Sequence, residues 1–479
     1  MRKFLLLIFS GLLGCFSLYA QNDLTLSNME NLFQSTYVNP SSIPVHTVSI
    51  GLPVISSVGL QVTNTGFSYG DLFQKEGRYT NDTVRGNIGN AYTKLSSQNY
   101  FYAGSETDLF HFRVKVRKMY FALFSQVKFK ARYSYPQNLM DLVVNGNGDK
   151  IGQDINFKNL GADIDLYRCI GFGIAKEGKH WVLGANLKYI NGIYNITFDP
   201  GKNSGIGFED KYYAFHSLSD MNLKSSGFNE DFTPVANYDT KNGKPAQDPL
   251  QNIWDLSKNP GGAIDLGATY KPNDKWSYTA SLINLGFINW KSDVVNRKIV
   301  GGQDFRGFDV FGYFLRGQSK PDSVTEREIR ESFKYSTSTE TYTRWMIPQL
   351  YLTAKYNISY KTLLGIMAYF EYYKKLRPAL TFSAYHKFGR VFNIVGTYNL
   401  QYGRYDNIGL GLMFKLGPCQ LYAAGDNIVV PLVKTIANGM EITKSTVDPI
   451  KTFNVRVGLN LVFGKVHVPS KQTYEHKKL

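Results

Sequence analysis

The seven histidines stand at positions 46, 111, 180, 216, 386, 467 and 476, and no two share a metal-ligand spacing such as His-Glu-x-x-His. The three cysteines, Cys15, Cys169 and Cys419, form no Cys-x-x-Cys pair. No Gly-x-Ser-x-Gly elbow and no phosphate loop occur. Asn145-Gly146-Asn147-Gly148-Asp149 begins like a calcium loop. Lys150 stands where that loop needs Gly, and Asn156 where it needs its terminal Glu, so the run reads as an Asn/Gly turn. The sequence therefore supplies no catalytic group, no cofactor site and no metal site, and it reads as a non-enzyme. What remains are polar residues spaced by two within apolar runs: Asp163, Asp165, Asn186, Lys188, Asp265 and Lys271, then Asn393, Asn399, Asn454, Arg456 and Asn460. Residues at that period share one face of a strand. If the strands close into a ring, this face lines the lumen. There the charges either pair in a structural network or line the path of a solute.

The elements that carry these residues alternate strictly. Ala162, Ile164, Leu166, Ile170, Phe172 and Ile174 share one face, which only Arg168 breaks, and Asp163, Asp165 and Tyr167 lie on the other. Phe453, Val455, Val457, Leu459, Leu461 and Phe463 alternate with Asn454, Arg456, Gly458, Asn460 and Val462. Alternation at this period marks a two-faced strand. Such segments run at about 47–54, 57–64, 107–117, 118–131, 160–175, 180–194, 210–217, 261–271, 275–289, 346–358, 362–373, 379–388, 391–402, 406–417, 418–427 and 452–464. Many exceed the ~5–6 residues of a soluble strand and reach the ~9–11 needed to cross a bilayer. Within 275–289 the apolar residues change parity, from Trp276, Tyr278, Ala280 and Leu282 to Ile283, Leu285 and Phe287, which predicts a β-bulge with Gly286 easing the kink.

Tight polar turns fall at 271–275, 389–390 and 403–407, and longer insertions at 66–100, 132–158, 218–259, 290–345 and 428–450. Short turns on one rim and long loops on the other are the layout of an outer-membrane barrel. Trp181, Tyr189, Trp276, Tyr278, Trp290, Trp345, Tyr356, Tyr372, Tyr373 and Tyr402 cluster at strand ends, as interfacial girdles do. A propeller would need a repeat of roughly 40–50 residues, and none is present.

Composition agrees. The chain of 479 residues has 15% aromatics, 44 Gly and only 19% charged residues, which argues against disorder. Met1-Arg2-Lys3 followed by the apolar run Phe4–Leu13 and Leu18-Tyr19-Ala20 reads as a cleaved signal peptide, residues 1–20. No later stretch approaches the ~20 apolar residues of a membrane helix. The net charge of +16 then fits the phosphates of lipopolysaccharide, and export argues against nucleic acid. The two later thiols read as free. Asp322–Phe333 reads as a short capped helix, from Ser323 and Glu326. Residues 465–479 read as a polar tail.

The opening Gln34-Ser35-Thr36-Tyr37-Val38-Asn39-Pro40 resembles that of a Bacteroidota family of exported barrels known only as a domain of unknown function. So do Leu183–Gly192 and Ala263–Tyr270 continuing to Ser281–Trp290. Cys169 departs from the resemblance, since an acidic residue is expected after Tyr167-Arg168. In layout the family is similar to long-chain fatty acid transporter barrels, which implies fourteen strands and a lumen filled by the N-terminal segment. It also resembles type IX secretion barrel proteins.

The expectation is an all-β, antiparallel, up-and-down transmembrane barrel of about 14 strands, within 12–16. Residues 47–464 form it. Residues 21–46 precede the first strand and form the plug, with a turn at Asn39-Pro40. The polar residues expected in lumen and plug are Asn39, Asp163, Asp165, Lys188, Asp265, Lys271, Asn454 and Arg456. The functional expectation is passage of a hydrophobic or small solute across the outer membrane of a Gram-negative bacterium, amid outer-membrane lipid and lipopolysaccharide. The alternative is an adaptor for type IX secretion or gliding machinery, with a secretion or surface-protein partner.

Overall fold

The computed structural model describes residues 23–75, 84–146, 148–201, 203–208, 215–229, 238–239, 244–245, 255–305, 332–373, 375–401, 404–429 and 452–464. Fourteen strands close on themselves. β1 comes in two halves, Val48–Gly51 and Val58–Asn64; then follow β2 (Gln98–Val116), β3 (Met119–Pro136), β4 (Gly161–Glu177) and β5 (Trp181–Asp199). Next come β6 (Pro260–Tyr270), β7 (Trp276–Trp290), β8 (Gln349–Asn357), β9 (Thr362–Tyr373) and β10 (Lys375–Phe388). β11 (Phe392–Gln401), β12 (Arg404–Leu416), β13 (Cys419–Asp426) and β14 (Thr452–Phe463) complete the ring. Each strand pairs antiparallel with the next, and both halves of β1 pair with β14 on one side and β2 on the other. Closure leaves no free edge, so every wall peptide can find a ladder partner.

The alternation decides which way each side chain points. Leu123, Phe129, Phe172, Leu187, Phe382 and Val457 stand exposed on the outer face. Residues one position away, such as Phe124, Lys128, Lys188, Ser383 and Arg456, are buried inside. The expected segments at 47–54 and 57–64 are thus two halves of one broken strand; of the expected segment 210–217, residues 210–214 lie outside the described residues, and 215–217 are not part of the ring. Phe215–Ser226 instead hooks onto the end of β5 at Asn195–Asp199 and pairs along its length with Val294–Phe305. Phe333–Ser338 and Gly205–Phe208 extend the same sheet beyond the ring.

One rim carries only brief connections, at 117–118, 178–180, 271–275, 358–361, 389–391 and 417–418. The other carries 65–97, 137–160, 200–259, 291–348 and 427–451. The expected turn at 403–407 is a correction: Arg404 already opens β12, and this connection belongs to the long-loop rim. The bulge in β7 forms one residue later than the sequence suggests. Asn284 adopts a positive φ of 61°, so Ile283 stays on the inner face, packed with Leu24 and Tyr351, and Leu285 and Phe287 turn outward. Asn tolerates this conformation better than a β-branched residue would.

Of the aromatics at strand ends, Trp181, Trp276, Tyr278, Trp345 and Tyr372 are exposed. Trp181 lies 4.6 Å from Tyr270 and Trp276 4.8 Å from Tyr356, forming a belt at the short-turn rim. Trp290 and Tyr373 are corrections: both point inward and are buried, because the β7 bulge and the β9 register place them on the lumen face. Among the described residues no helix is long and apolar enough to cross a membrane. The expected signal peptide, the 322–333 helix, the 465–479 tail and Tyr402 lie outside the described residues.

Candidate functional site: the filled lumen

Residues 23–46 run inside the ring. Leu24–Ser27 forms one helical turn and Phe33–Tyr37 a short 3-10 turn, and nearly every side chain in them is buried. So short a turn leaves most of its amide N–H groups without intrahelical partners. The wall supplies them: the Asp426 carboxylate accepts from Leu24 N at 3.2 Å and Thr25 N at 3.0 Å, and from the Thr25 hydroxyl at 2.5 Å. Asn454 and Asn399 also donate to Asp426, at 3.1 and 3.3 Å.

Three further anchors hold the segment. Arg456 donates to Asp23 at 2.6 Å, to Glu106 at 2.9 Å and to the Ser57 hydroxyl at 3.0 Å. Gln34 and Asn460 exchange amide hydrogen bonds at 2.9 and 3.0 Å. Lys355 donates to Glu30 at 2.6 Å. Burial alone would raise the Glu30 pKa, but the Lys355 ammonium, together with the Lys387 and Lys271 cations, outweighs it and holds the carboxyl below its ordinary range.

Apolar contacts complete the fit. Phe33 and Tyr37 pack with Phe124, Cys169, Ile190 and Trp290, and Phe33 stacks on His111 with centroids 3.9 Å apart. Leu26, Met29 and Leu32 pack against Tyr385, Val395 and Met413. At the Asn39-Pro40 turn the chain presses on the wall so closely that a Cβ on Gly184 would lie 2.2 Å from the Pro40 carbonyl oxygen. Any larger residue there would push the segment inward. Nearer the short-turn rim, burial and then the Lys415 and Arg113 cations push the His46 imidazole down to about 4.

β1 is broken where this packing is densest. Residues 52–57 stand opposite only 458–459 of β14 and 108–110 of β2. The excursion breaks the regular register but keeps backbone hydrogen bonds from Val54 N to Asp108 O at 2.8 Å, Asp108 N to Ser57 O at 3.0 Å and Leu459 N to Ile55 O at 2.9 Å. It exposes Leu52, Val54 and Ile55 on the outer face, while Ser56 and Ser57 turn fully inward. From inside, the Ser56 carbonyl accepts from Gln34 at 3.0 Å and from the Tyr422 hydroxyl at 2.9 Å. Beside it, a bulge in β2 keeps Asp108 and His111 both inward. The fully buried Asp108 carboxylate accepts from Tyr37 at 3.0 Å, Gln126 at 2.9 Å and Gln34 at 3.4 Å.

Above this level, toward the long-loop rim, opposite walls touch. Arg377 of β10 lies 4.1 Å over Tyr100 of β2, and both Arg377 and Arg132 of β3 flank the Tyr373 ring, at 4.8 and 5.6 Å. Arg344, on Tyr342–Trp345 beyond β7, grips Asp163 at 2.8 Å and Asp165 at 3.0 Å. The Tyr373 hydroxyl donates to Asp163 at 2.5 Å.

Of the residues singled out in the sequence, Asp163 and Asp165 join this upper layer. Lys188 pairs with the fully buried Asp265 at 2.5 Å, and Asp265 also accepts from Asn284 N at 2.8 Å. Asn454 and Arg456 bind the N-terminal segment. Asn39 lies in it, accepting from Ser41 N at 3.0 Å and the Ser41 hydroxyl at 2.7 Å, which in turn meets Thr269. Lys271 is apart from all of them, exposed in the 271–275 turn, where its backbone N–H bonds His180. Cys169 and Cys419 are both free, but Cys169 faces the N-terminal segment rather than an outer apolar face.

Sequence reasoning missed Asp108, Asp426, Glu106, Arg132 and Arg377. The first and third were legible as a polar parity running through Tyr102, Gly104, Glu106 and Asp108 and then switching to His111, Arg113 and Lys115, the mark of the β2 bulge. Lys150, in the rejected calcium-like run, bridges Asp141 and Asp149 at 2.7 Å each. Its hydrogen bond, followed by that from Asn145, lowers the Asp141 pKa.

A closed antiparallel ring with an internal N-terminal segment defines the class: an up-and-down barrel with a filled lumen. The chain belongs to the Family of unknown function (DUF5723), which matches residues 40–426. No curated protein matches it. Among solved structures it is similar to a Pseudomonas aeruginosa FadL homologue, at 10% identity over 91% of this chain and 96% of that one, with a TM-score of 0.40. It is also similar to the P. putida toluene transporter TodX, at 8% identity, 90% and 94% coverage and a TM-score of 0.39. A third is the Ralstonia pickettii toluene transporter TbuX, at 8% identity, 89% and 92% coverage and a TM-score of 0.30. The strand pairings, not these low scores, carry the fold assignment.

Proposed function

We propose that the protein is an outer-membrane barrel of a Gram-negative bacterium, exported by a cleaved signal peptide, and that it passes a hydrophobic or small solute sideways through its wall. The observation that carries this reading is the break in β1. An unbroken lumen needs no such break, whereas an apolar solute bound for the bilayer needs an exit that avoids water. Leu52, Val54 and Ile55 present an apolar lip to the outside. A few irregular backbone hydrogen bonds tie it to β2 and β14 in place of a regular ladder, and plug and wall side chains hold the Ser56 carbonyl. Residues 21–46 are the plug. Movement of Gln34 and Tyr37 away from Ser56 and Asp108 would release the lip, so plug and exit open together.

The test is uptake of a radiolabelled alkane or alcohol into proteoliposomes, alongside planar-bilayer conductance. Uptake without steady conductance supports a lateral path. A disulfide placed between the plug and β14 that leaves uptake unchanged would defeat it. The adaptor reading has one favourable observation: the sheet of 215–226, 294–305 and 333–338 extends beyond the ring and is more than passage requires. Stable recovery of one secretion or surface protein with the native barrel, and no solute uptake, would favour that alternative.

A further inference from the structure

The outer face of the wall carries a groove of about 620 Å3 that runs from β3 to β8, near the short-turn rim. Elsewhere this face presents large side chains such as Leu123, Phe129, Phe172 and Phe382. In the groove Ala185, Ala268 and Ala280 take their place on three adjoining strands, walled by Ile174, Leu183, Leu266 and Leu282. Ala268 stands opposite Leu183 on one side and Ala280 on the other. Two residues closer to the turns, Tyr270 stands opposite Trp181 and Tyr278, so the aromatic belt borders the groove. Such a belt marks the level at which hydrocarbon gives way to headgroups.

The short-turn end of the groove is basic. Lys176 lines it and is exposed. Lys179 is exposed in the turn at 178–180, and Lys118 in the turn at 117–118, beside the Met119 that pairs with Lys176. Glu177, the nearest acid in sequence, turns inward instead, to Lys115 at 3.8 Å. Lys118, Lys176 and Lys179 have no acidic partner among the described residues. The rest of the rim repeats this bias: Lys271, Lys275, Lys361 and Arg390 are exposed in the other short turns, whose one acid is Asp274.

Any lipid tail fills an apolar depression, so the groove alone selects nothing. Unpaired cations at headgroup level do select, because each favours an anionic lipid over a zwitterionic one. In the outer-membrane layout the short turns face the periplasm. These cations therefore meet phospholipid, whereas lipopolysaccharide lies in the opposite leaflet.

We propose that the groove and its lysines form a site for one anionic phospholipid, with the phosphate on Lys176, flanked by Lys118 and Lys179, and an acyl chain over Ala185, Ala268 and Ala280. The site rests on the outer-membrane placement and is independent of solute passage. Native mass spectrometry of the full chain in neutral detergent tests it, with palmitoyl-oleoyl phosphatidylglycerol, the matching phosphatidylcholine, lipid A and glycerol phosphate as probes. Phosphatidylglycerol should bind about tenfold tighter than phosphatidylcholine, and glycerol phosphate, which lacks acyl chains, should not be retained.

Lys176→Gln/Lys179→Gln should bring phosphatidylglycerol down to the level of phosphatidylcholine. Ala268→Leu/Ala280→Leu fills the groove and should weaken both phospholipids alike, by about fivefold. Heat-modifiable gel mobility confirms the fold of each variant. Equal binding of the two phospholipids to the unaltered chain overturns the proposal, as expected if the basic rim meets an acidic protein. So does a preference that survives in folded Lys176→Gln/Lys179→Gln, or an affinity unmoved by filling the groove. Lipid A bound more tightly than phosphatidylglycerol would overturn the choice of lipid and leaflet. A chain that stays soluble without detergent would defeat the outer-membrane placement and the site with it. Equal binding by a barrel that inserts into vesicles would defeat the site alone.

Discussion

The lower and upper lumen are built from the same residue types and differ in how their arginines are held: Arg456 makes three short hydrogen bonds, with its Nε left over, whereas Arg132 and Arg377 rest mainly on aromatic faces. Around the N-terminal segment, Asp426, Arg456, Gln34, Asn460 and Asp108 each make several short hydrogen bonds with partners on the wall or plug. Around Tyr373, Arg132 and Arg377 lie over aromatic faces; Arg377 Nη1 pairs with Glu371 at 4.0 Å, and Arg132 Nε, Arg377 Nε and Arg377 Nη2 have no hydrogen-bond partner among the described residues. A buried polar network with many short hydrogen bonds rigidifies, and one with few holds its members less tightly. The first layer ties the N-terminal segment to the wall, and the second joins opposite walls to one another.

The largest expected effect on that contrast comes from deleting residues 23–44. The lower layer vanishes, and single-channel recordings should change from silence to steady porin-like steps. A barrel that stays silent would show that the upper bridge alone seals it. Arg456→Met removes one member of the lower network and strands Asp23 and Glu106. We expect a loss of about 3–5 kcal/mol in urea-gradient refolding. Adding Asp23→Asn should recover part of it.

Gly184→Val forces a side chain against Pro40 and should cost about 1–3 kcal/mol by the same assay, with higher basal conductance as the plug is displaced. A smaller effect concerns pH. The His46 pKa in the fold, about 4, lies below its ordinary value near 6.5, so the unfolded chain binds the proton more readily. Stability from this group is present above about 6.5 and is lost as pH falls toward about 4, and His46→Gln should flatten refolding midpoints across that window. The smallest effect should be Arg377→Met. Its removal breaks a long buried ion pair, 4.0 Å to Glu371, while Glu371 still accepts from Gln349 and Tyr369 at 2.9 Å each, so stability should fall by about 1–2 kcal/mol, less than for Arg456→Met. A loss as large as that of Arg456→Met would erase the distinction between the two layers.

Much of the ring was legible in the sequence because period-two alternation is a local property. Asp163, Lys188, Asp265, Asn454 and Arg456 needed only their parity to be placed inside. Their partners were not local: Arg456 meets Asp23 and Glu106, and Asp163 meets Arg344 and Tyr373, across hundreds of residues. Bulges hid others. A single extra residue in β2 or β7 reverses the parity, which concealed Asp108 and misplaced Ile283 and Trp290. Lys271 kept the right parity, but its strand had already ended.

Cys169 gives the lumen a built-in reporter. Its thiol is buried beneath Phe33 and Tyr37, while Cys419 sits half-buried at the short-turn end of β13. The rate at which a maleimide labels Cys169, with Cys419 replaced by Ser, therefore clocks how often the N-terminal segment lifts from the wall. No cysteine has to be introduced, and a solute that lifts the segment can be recognised by how much it shortens that time.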